Sequence, residues 1–396
     1  MKILKVMVLF LLMGPMVSSA WAEPDGLKVT VGPSLQMGDL GKVNRADLLV
    51  SPTGAIAAFV PTRRWPGREG KLWMAYRVSA DGGKTWTGQF EAPMPVTASP
   101  LVGSGLAVSA PPRSTAFKLI GRWEHMTRPV NWFSARVAQF GDDLMQYKVE
   151  WLQASVAEAV VVVKEAGGQA HRTEKVMPFF ERGQMVQLEG SEFLLAAHGK
   201  FKGDSKWRAF LIRSLDGGRI WKYFSTIGSE AEAPAPQLPG EFSGYRDPTI
   251  ALLPNGEILA VLRAHDSDKL PYQPLYVSRS TDKGKSWTKP QPTDPPLYST
   301  SPTLVVLDNG VVACAYGRPG LNIAFSVDNG RTWSRDKKLT KVSGAKVTGQ
   351  IDMVKVGPNK LMAIAGVGPG GTRVFPVTVE LRAIQAEARD VSPGSP

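Results

Sequence analysis

Three arginines occupy positions where a charged side chain could do chemistry. Arg45 and Arg246 each stand at the start of a β-rich run, and Arg318 stands just after the end of one. A guanidinium is planar, forked and permanently charged, which suits it to hold a carboxylate through two parallel hydrogen bonds. Arg63 and Arg64 end a further run, while Glu181 and Gln350 stand at the starts of others. Two histidines close comparable runs, as Ala197-His198-Gly199 and Ala264-His265-Asp266. Histidine titrates near neutrality and can give or take a proton. Asp247 follows Arg246, and Asp266 and Asp268 add carboxylates beside His265. His265, Asp266 and Asp268 lack a recognised metal-ligand spacing, so neither a metal nor a cofactor is expected. Arginines that neutralise a carboxylate, beside groups that move a proton, suit acid–base chemistry on an anionic substrate.

The elements that must position these residues repeat along the chain. Five times a β-run passes through a turn into a second β-run. The pairs are Ala46–Val50 with Ala55–Val60, Gln184–Gln187 with Phe193–Ala197, and Asp247–Leu253 with Ile258–Leu262, then Thr303–Leu307 with Val311–Tyr316 and Asp352–Val356 with Leu361–Ala365. A second repeat has the pattern S-x-D-x-G-x-(T/S/I)-W and occurs as Ser79–Trp86, Ser214–Trp221, Ser280–Trp287 and Ser326–Trp333. In each copy the Asp carboxylate can accept backbone N–H groups and close a turn. The Gly supplies a left-handed backbone, and the Trp offers a large apolar face to pack beside the turn. One hairpin turn recurring at this regularity signals a repeat architecture.

The pattern is the Asp-box, and the chain resembles the sialidase-like β-propellers that carry it. The resemblance implies an all-β fold, a six-bladed β-propeller of the sialidase type. In that family the boxes join the outer two strands of a blade, on the face away from the active site. The last three boxes here follow one another at single-blade spacing, whereas the interval from Asp81 to Asp216 holds two blades and extra chain. One blade without a box is therefore expected within about residues 92–173. There Val156–Lys164 reads as a strand, and Trp132–Gln153 could include a lid or a helical insertion. Leu27–Val31 is expected to pair with the last blade and close the ring, which removes open edges. Residues 23–390 would form this single domain and residues 391–396 a loose tail. In such a propeller the start of each innermost strand and the end of the next share one face, which gathers the residues above.

Sialidases bind the substrate carboxylate with three arginines, and the family can be laid on this chain in two ways. In one, Tyr245-Arg246-Asp247-Pro248 matches the family's Y/F-R-I-P strand start, with Asp268 downstream as the acid. In the other, Arg45, Arg246 and Arg318 form the triad from three separate blades in order, and Glu69 rivals Asp268 as the acid. The departures are specific. Asn44-Arg45-Ala46 lacks the Pro, Asp247 replaces the Ile, and Gln350 stands where the family places a nucleophilic Tyr. Tyr298 is a substitute that falls one blade early. The resemblance thus implies a sialidase-like glycoside hydrolase acting on an acidic sugar. Asp268, Asp266 and His265 would transfer protons, and Arg45, Arg246, Arg318, Asp247, His198 and Gln350 would bind the substrate. A polysaccharide lyase on uronate-containing glycans, or a non-catalytic glycan- or protein-binding propeller, is the alternative.

The rest of the chain sets the context. Lys2 and Lys5 precede an apolar run, and Ala20-Trp21-Ala22 is a cleavage signal, so residues 1–22 read as a signal peptide cut after Ala22. Gly14 and Pro15 interrupt that run, which argues against a permanent membrane anchor. A periplasmic or secreted monomer without an integral membrane segment is expected. The net charge of +12 falls by two when Lys2 and Lys5 leave, and the remainder still favours acidic glycans or anionic surfaces. No basic cluster suggests nucleic acid. Cys314, the sole cysteine, lies in an apolar run and reads as a small buried hydrophobe.

Overall fold

The computed structural model of the protein describes residues 27–37, 46–50, 54–62, 73–87, 90–93, 117–119, 132–140, 147–155, 185–199, 204–215, 221–233, 242–265, 273–298, 301–317, 320–334, 337–339, 347–367 and 372–381. Its elements are β-strands apart from one turn of 3-10 helix, Glu230–Glu232. After β1 (Leu27–Val31) and β2 (Leu35–Gln36) comes sheet I: β3 (Asp47–Val50), β4 (Ile56–Thr62), β5 (Trp73–Ser79) and β6 (Phe90–Pro93). Next are β7 (Phe117–Leu119), β8 (Trp132–Phe140) and β9 (Tyr147–Ser155). Sheet II holds β10 (Met185–Gln187), β11 (Phe193–Gly199), β12 (Arg208–Ser214) and β13 (Trp221–Gly228). Sheet III holds β14 (Phe242–Leu252), β15 (Ile258–His265), β16 (Leu275–Ser280) and β17 (Gln291–Pro292). Sheet IV holds β18 (Thr303–Val306), β19 (Val312–Gly317), β20 (Leu321–Ser326) and β21 (Lys337–Lys338). Sheet V holds β22 (Val347–Gly357), β23 (Lys360–Val367) and β24 (Thr372–Leu381), with β1 and β2 antiparallel along β24. Among the described residues there are five sheets, and none closes on itself.

The five paired runs of the sequence are the first two strands of the five sheets, all antiparallel. Leu27–Val31 pairs with the last sheet, Leu27 opposite Leu381 and Val31 opposite Val377. The stretch expected to include a lid or helix is instead a hairpin, β8 on β9 from Trp132 opposite Ser155 to Phe140 opposite Tyr147. Its strands are rich in aromatic and β-branched residues, which favour an extended backbone. β9 runs parallel to β13, with Trp221 opposite Ala154, so β7–β9 extend sheet II outward. Val156–Lys164 lies outside the described residues. No helix among the described residues is long and apolar enough to cross a membrane.

The sheets pack against one another in chain order, from sheet II through III and IV to V, and V then packs on I. β11 lies on β14, β14 on β18, β18 and β19 on β22, and β22 on β3. Each contact is an apolar seam. Leu194, Leu211, Ile250 and Ile258 fill the one between II and III, and Leu259, Leu304, Val312 and Cys314 the one between III and IV. Phe325, Ile351 and Met353 join IV to V, and Leu48, Ile56 and Met362 join V to I. Alternate residues of β19 serve different seams: Val312 and Cys314 face sheet III, while Ala313 and Ala315 face sheet V. A strand buried on both faces reads as an unbroken apolar run, which is why Ile258–Leu262 and Val311–Tyr316 show no alternation.

A buried hydrogen bond crosses every one of these seams near the start of a first strand. The Asp247 N–H donates to His198 Nδ1 at 3.2 Å between sheets II and III. The Leu304 N–H donates to Thr249 Oγ1 at 3.3 Å between III and IV. The Thr303 hydroxyl donates to the Ile351 carbonyl at 2.9 Å between IV and V. The Leu48 N–H donates to Asp352 Oδ2 at 2.8 Å between V and I.

The Asp-boxes sit at the opposite ends of the sheets. In sheet III, Ser280 faces Ile258 at the start of β15, whereas Leu275 faces Arg263 near its end. The Asp282 carboxylate accepts the Ser280 hydroxyl at 2.7 Å, the Ser286 N–H at 2.9 Å and the Ser286 hydroxyl at 2.6 Å. These bonds, led by the Ser286 hydroxyl, hold its carboxyl down to about 2. Asp81 and Asp328 make the matching set. Each of these three boxes also reaches the preceding sheet in the packing order, while most of the Ser214–Trp221 box lies outside the described residues. Gly330, at φ +74°, lies so close to sheet III that a Cβ there would stand 2.6 Å from Leu259 Cδ2. Trp86, Trp287 and Trp333 pack into the seams that sheets I, III and IV make with those preceding sheets.

Candidate functional site

β14 breaks step twice before it settles against β15. The pairing jumps from Phe242 opposite His265 to Arg246 opposite Arg263, and again to Thr249 opposite Val261. Extra residues are therefore bulged out of β14 on either side of Arg246, a device that re-aims side chains. Gly244 lies in the first irregularity, where the backbone of Trp207 crosses from sheet II. The Trp207 N–H donates to the Ser243 carbonyl at 3.0 Å, and the Tyr245 N–H donates to the Trp207 carbonyl at 2.9 Å. A Cβ on Gly244 would stand 2.1 Å from Trp207 N, so this crossing requires glycine. Asp247 lies in the second irregularity at φ +49°. That left-handed conformation is uncommon outside glycine, although Asp is among the residues that tolerate it. Pro248 disfavours the right-handed helical alternative for Asp247 and has no N–H to lose at a bulge.

Tyr245 anchors this corner from within the seam. It is fully buried, and its hydroxyl donates to the Glu232 carbonyl at 2.8 Å. Glu232 is itself fixed by a reciprocal cap: its carboxylate accepts the Ser229 N–H at 2.8 Å, and Ser229 Oγ accepts the Ala231 N–H at 3.3 Å. Burial, with the neighbouring Tyr276 and Glu232, pushes the Tyr245 hydroxyl far above its ordinary range. Burial likewise takes Tyr276 up to about 12. Both phenols are structural at neutral pH.

Five side chains meet at this corner. The Arg246 guanidinium carbon lies 5.1 Å from the centre of the Trp207 ring, a cation–π contact. The His198 ring meets the same indole nearly at right angles, with centroids 5.5 Å apart. Asp247 Oδ2 accepts from the Arg263 guanidinium at 3.3 Å, and Oδ1 lies 3.8 Å from His198 Nδ1. Like charges directly opposite in a sheet repel. Here the Asp247 carboxylate against Arg263 and the Trp207 face against Arg246 offset that repulsion. His198 is 1% exposed and Asp247 3%, whereas Trp207, Arg246 and Arg263 are partly exposed. The arrangement can present an oriented guanidinium to an anionic group.

Of the residues singled out in the sequence, the structure brings together Arg246, Asp247 and His198. His265 ends β15 opposite Phe242, at the same end of sheet III, and Gln350 lies in β22 just before the seam residues Ile351 and Asp352. Tyr298 is 37% exposed and bridges to Pro274, again at that end of sheet III. Arg45, Arg318, Asp266 and Asp268 lie outside the described residues, as do Glu69, Glu181, Arg63 and Arg64. Among the described residues no group of three His, Cys, Asp or Glu could hold a metal ion. Two members of the site escaped the sequence reading. Arg263 could have been found as the one permanent charge inside Ile258–His265. Trp207 belongs to no box, and nothing local marks it.

Residues 169–353 match the family model of the BNR repeat-like domain. The structure resembles that of a protein of unknown function from Dyadobacter fermentans, with a TM-score of 0.58 and 15% identity, over 91% of this chain and 100% of that chain. It resembles an α-L-arabinanase from Penicillium chrysogenum, with a TM-score of 0.53 and 14% identity, over 89% of this chain and 99% of the other. It also resembles an α-L-arabinofuranosidase from Fusarium graminearum, with a TM-score of 0.53 and 13% identity, over 88% and 98%. At such identities the likeness is one of fold. No curated protein matches the chain.

Proposed function

We propose that this chain, whose residues 169–353 match the BNR repeat-like domain, is an exported, sialidase-like glycoside hydrolase acting on a carboxylate-bearing sugar. The observation that carries the reading is the Arg246 corner, where a guanidinium stacked on Trp207 stands opposite Arg263 at the head of a first strand. Arg45 and Arg318 complete the set that holds the sugar carboxylate, with Gln350 alongside and with Asp247 and His198 buried behind Arg246. The five sheets and the β7–β9 hairpin unit make up a ring of six blades, with this end of the sheets as its mouth. Hydrolysis then needs a proton for the leaving oxygen and a water for the anomeric carbon. Asp268, Asp266 or His265 supplies the proton to the leaving oxygen as the glycosidic C–O bond breaks, and a water adds to the anomeric carbon from the opposite face, losing its proton to another of these three groups. Gln350 cannot form the covalent bond that a Tyr there would form, so water attacks directly. The Ala20-Trp21-Ala22 signal would deliver the enzyme to the periplasm or the medium.

The test is mass spectrometry of sialyllactose, oligogalacturonate and arabino-oligosaccharides after incubation with the protein in heavy-oxygen water. The expected outcome is one heavy oxygen in the product of an acidic substrate, with the rate falling about a hundredfold or more in Arg246→Ala. Cleavage of the arabino-oligosaccharides alone would exclude the acidic-sugar reading. An unsaturated product without heavy oxygen would mean a lyase, and binding without cleavage would mean a receptor.

A further inference from the structure

We propose that His198 acts as a neutral hydrogen-bond acceptor that positions the Arg246–Asp247 corner from the neighbouring sheet, and that it transfers no proton to or from substrate. What that corner holds rests on the carboxylate-sugar reading above; the role of His198 rests on geometry alone. A backbone N–H can only donate. The Asp247 N–H reaches His198 Nδ1 at 3.2 Å, so Nδ1 carries a lone pair and the ring proton sits on Nε2. The imidazole is thereby spoken for on the side that faces sheet III. The bond falls on a residue whose conformation needs support: Asp247 holds φ +49° within a bulge, followed by Pro248. Left-handed backbone of this kind persists only where the surroundings over-determine it.

The groups around the ring agree with the acceptor role. Asp247 Oδ1 stands 3.8 Å from Nδ1, while the other oxygen of that carboxylate is committed to Arg263. The edge-on contact with Trp207 fixes the plane of the ring. Trp207 in turn crosses Gly244 and carries Arg246 on its face, so one imidazole braces both sides of the corner. With 1% of its surface exposed, His198 is shut off from anything arriving at the mouth. A proton on Nδ1 would remove the acceptor, turn the ring towards Asp247 Oδ1 and draw that carboxylate from Arg263.

The experiment labels the histidines with nitrogen-15. The chain has four, so the ring signals can be assigned by substitution. In the full-length mature protein at pH 7.5, His198 should show a bare Nδ1 and a protonated Nε2, with a scalar coupling across the bond to the Asp247 amide. A protonated Nδ1, or no coupling, would overturn the proposal. Two variants add the second arm, with N-acetylneuraminate and D-glucuronate as binding probes. His198→Asn keeps an acceptor near the Nδ1 position and should bind whichever probe the wild type binds within about threefold. His198→Leu should lose about tenfold or more. Equal losses in both variants would count against positioning and for a proton-transfer role. If neither probe binds the wild type, the carboxylate-sugar reading fails, and the nitrogen spectrum still decides the role of His198.

Discussion

At the scale of single residues, the fold spends its carboxylates on backbone geometry. Asp282 stays ionised well below the usual carboxyl range because the Ser286 hydroxyl and N–H and the Ser280 hydroxyl all point at it. An unfolded Asp titrates near 4. A folded-state value lowered to about 2 means that the stabilisation is complete above about pH 4 and drains away as the pH falls through the interval below. Asp282→Asn is therefore expected to melt roughly 2–4 °C below wild type at pH 7, with the gap narrowing as the pH falls from about 4 to about 2. Calorimetry across that range checks the sign, and a gap that widened on acidification would refute the account. Asp352 does the same work inside a seam, where its partner, the Leu48 N–H, comes from a neighbouring sheet, whereas the Asp247 carboxylate pairs with Arg263 of its own sheet and the Asp247 N–H crosses the seam to His198. That difference decides what can be read in advance. Asp282 lies within a few residues of its donors, so its role is visible in the sequence. Asp247 and His198 are 49 positions apart. Only their strand-end placement was legible, and their mutual contact was not.

At the scale of elements, the Asp-box is both a turn and a wedge. Gly256 and Gly330 share a left-handed backbone, at φ +84° and +74°, but only Gly330 faces a neighbour within reach of an added methyl. Gly256→Ala should cost about 1 kcal/mol, the conformational penalty alone. Gly330→Ala should cost on the order of 3 kcal/mol, because Leu259 must also give way. Urea midpoints of the two variants measure the difference, and equal losses would mean that the box does not press on sheet III. The hairpins and boxes were legible because turn chemistry is local. The β8–β9 hairpin was not, since its apolar runs carry no box and its outer partner, β13, is supplied by tertiary pairing.

At the scale of the whole molecule, the first strand belongs with the last. β1 covers the outer edge of β24, and Leu27 is fully buried in the core shared by sheets IV and V. A chain lacking residues up to Val31 would present β24 as a bare edge, which invites pairing with another copy. Light scattering should show self-association at micromolar concentration and a lowered unfolding midpoint. A truncated protein as monomeric and as stable as the parent would show that β1 is dispensable. The attachment of β7–β9 was the least legible feature. β7–β9 join sheet II by a single parallel contact, and neither box nor Gly turn announces such an attachment. The four cross-seam bonds reach further than the stability of any one sheet. One joins an amide to an imidazole, one an amide to a hydroxyl, one a hydroxyl to a carbonyl and one an amide to a carboxylate. Each is a private match between two neighbours. A sheet duplicated or transplanted elsewhere in the series would arrive without its counterpart and leave a buried polar group unanswered. The sheets are thus not interchangeable modules: each is fitted to the neighbours it has.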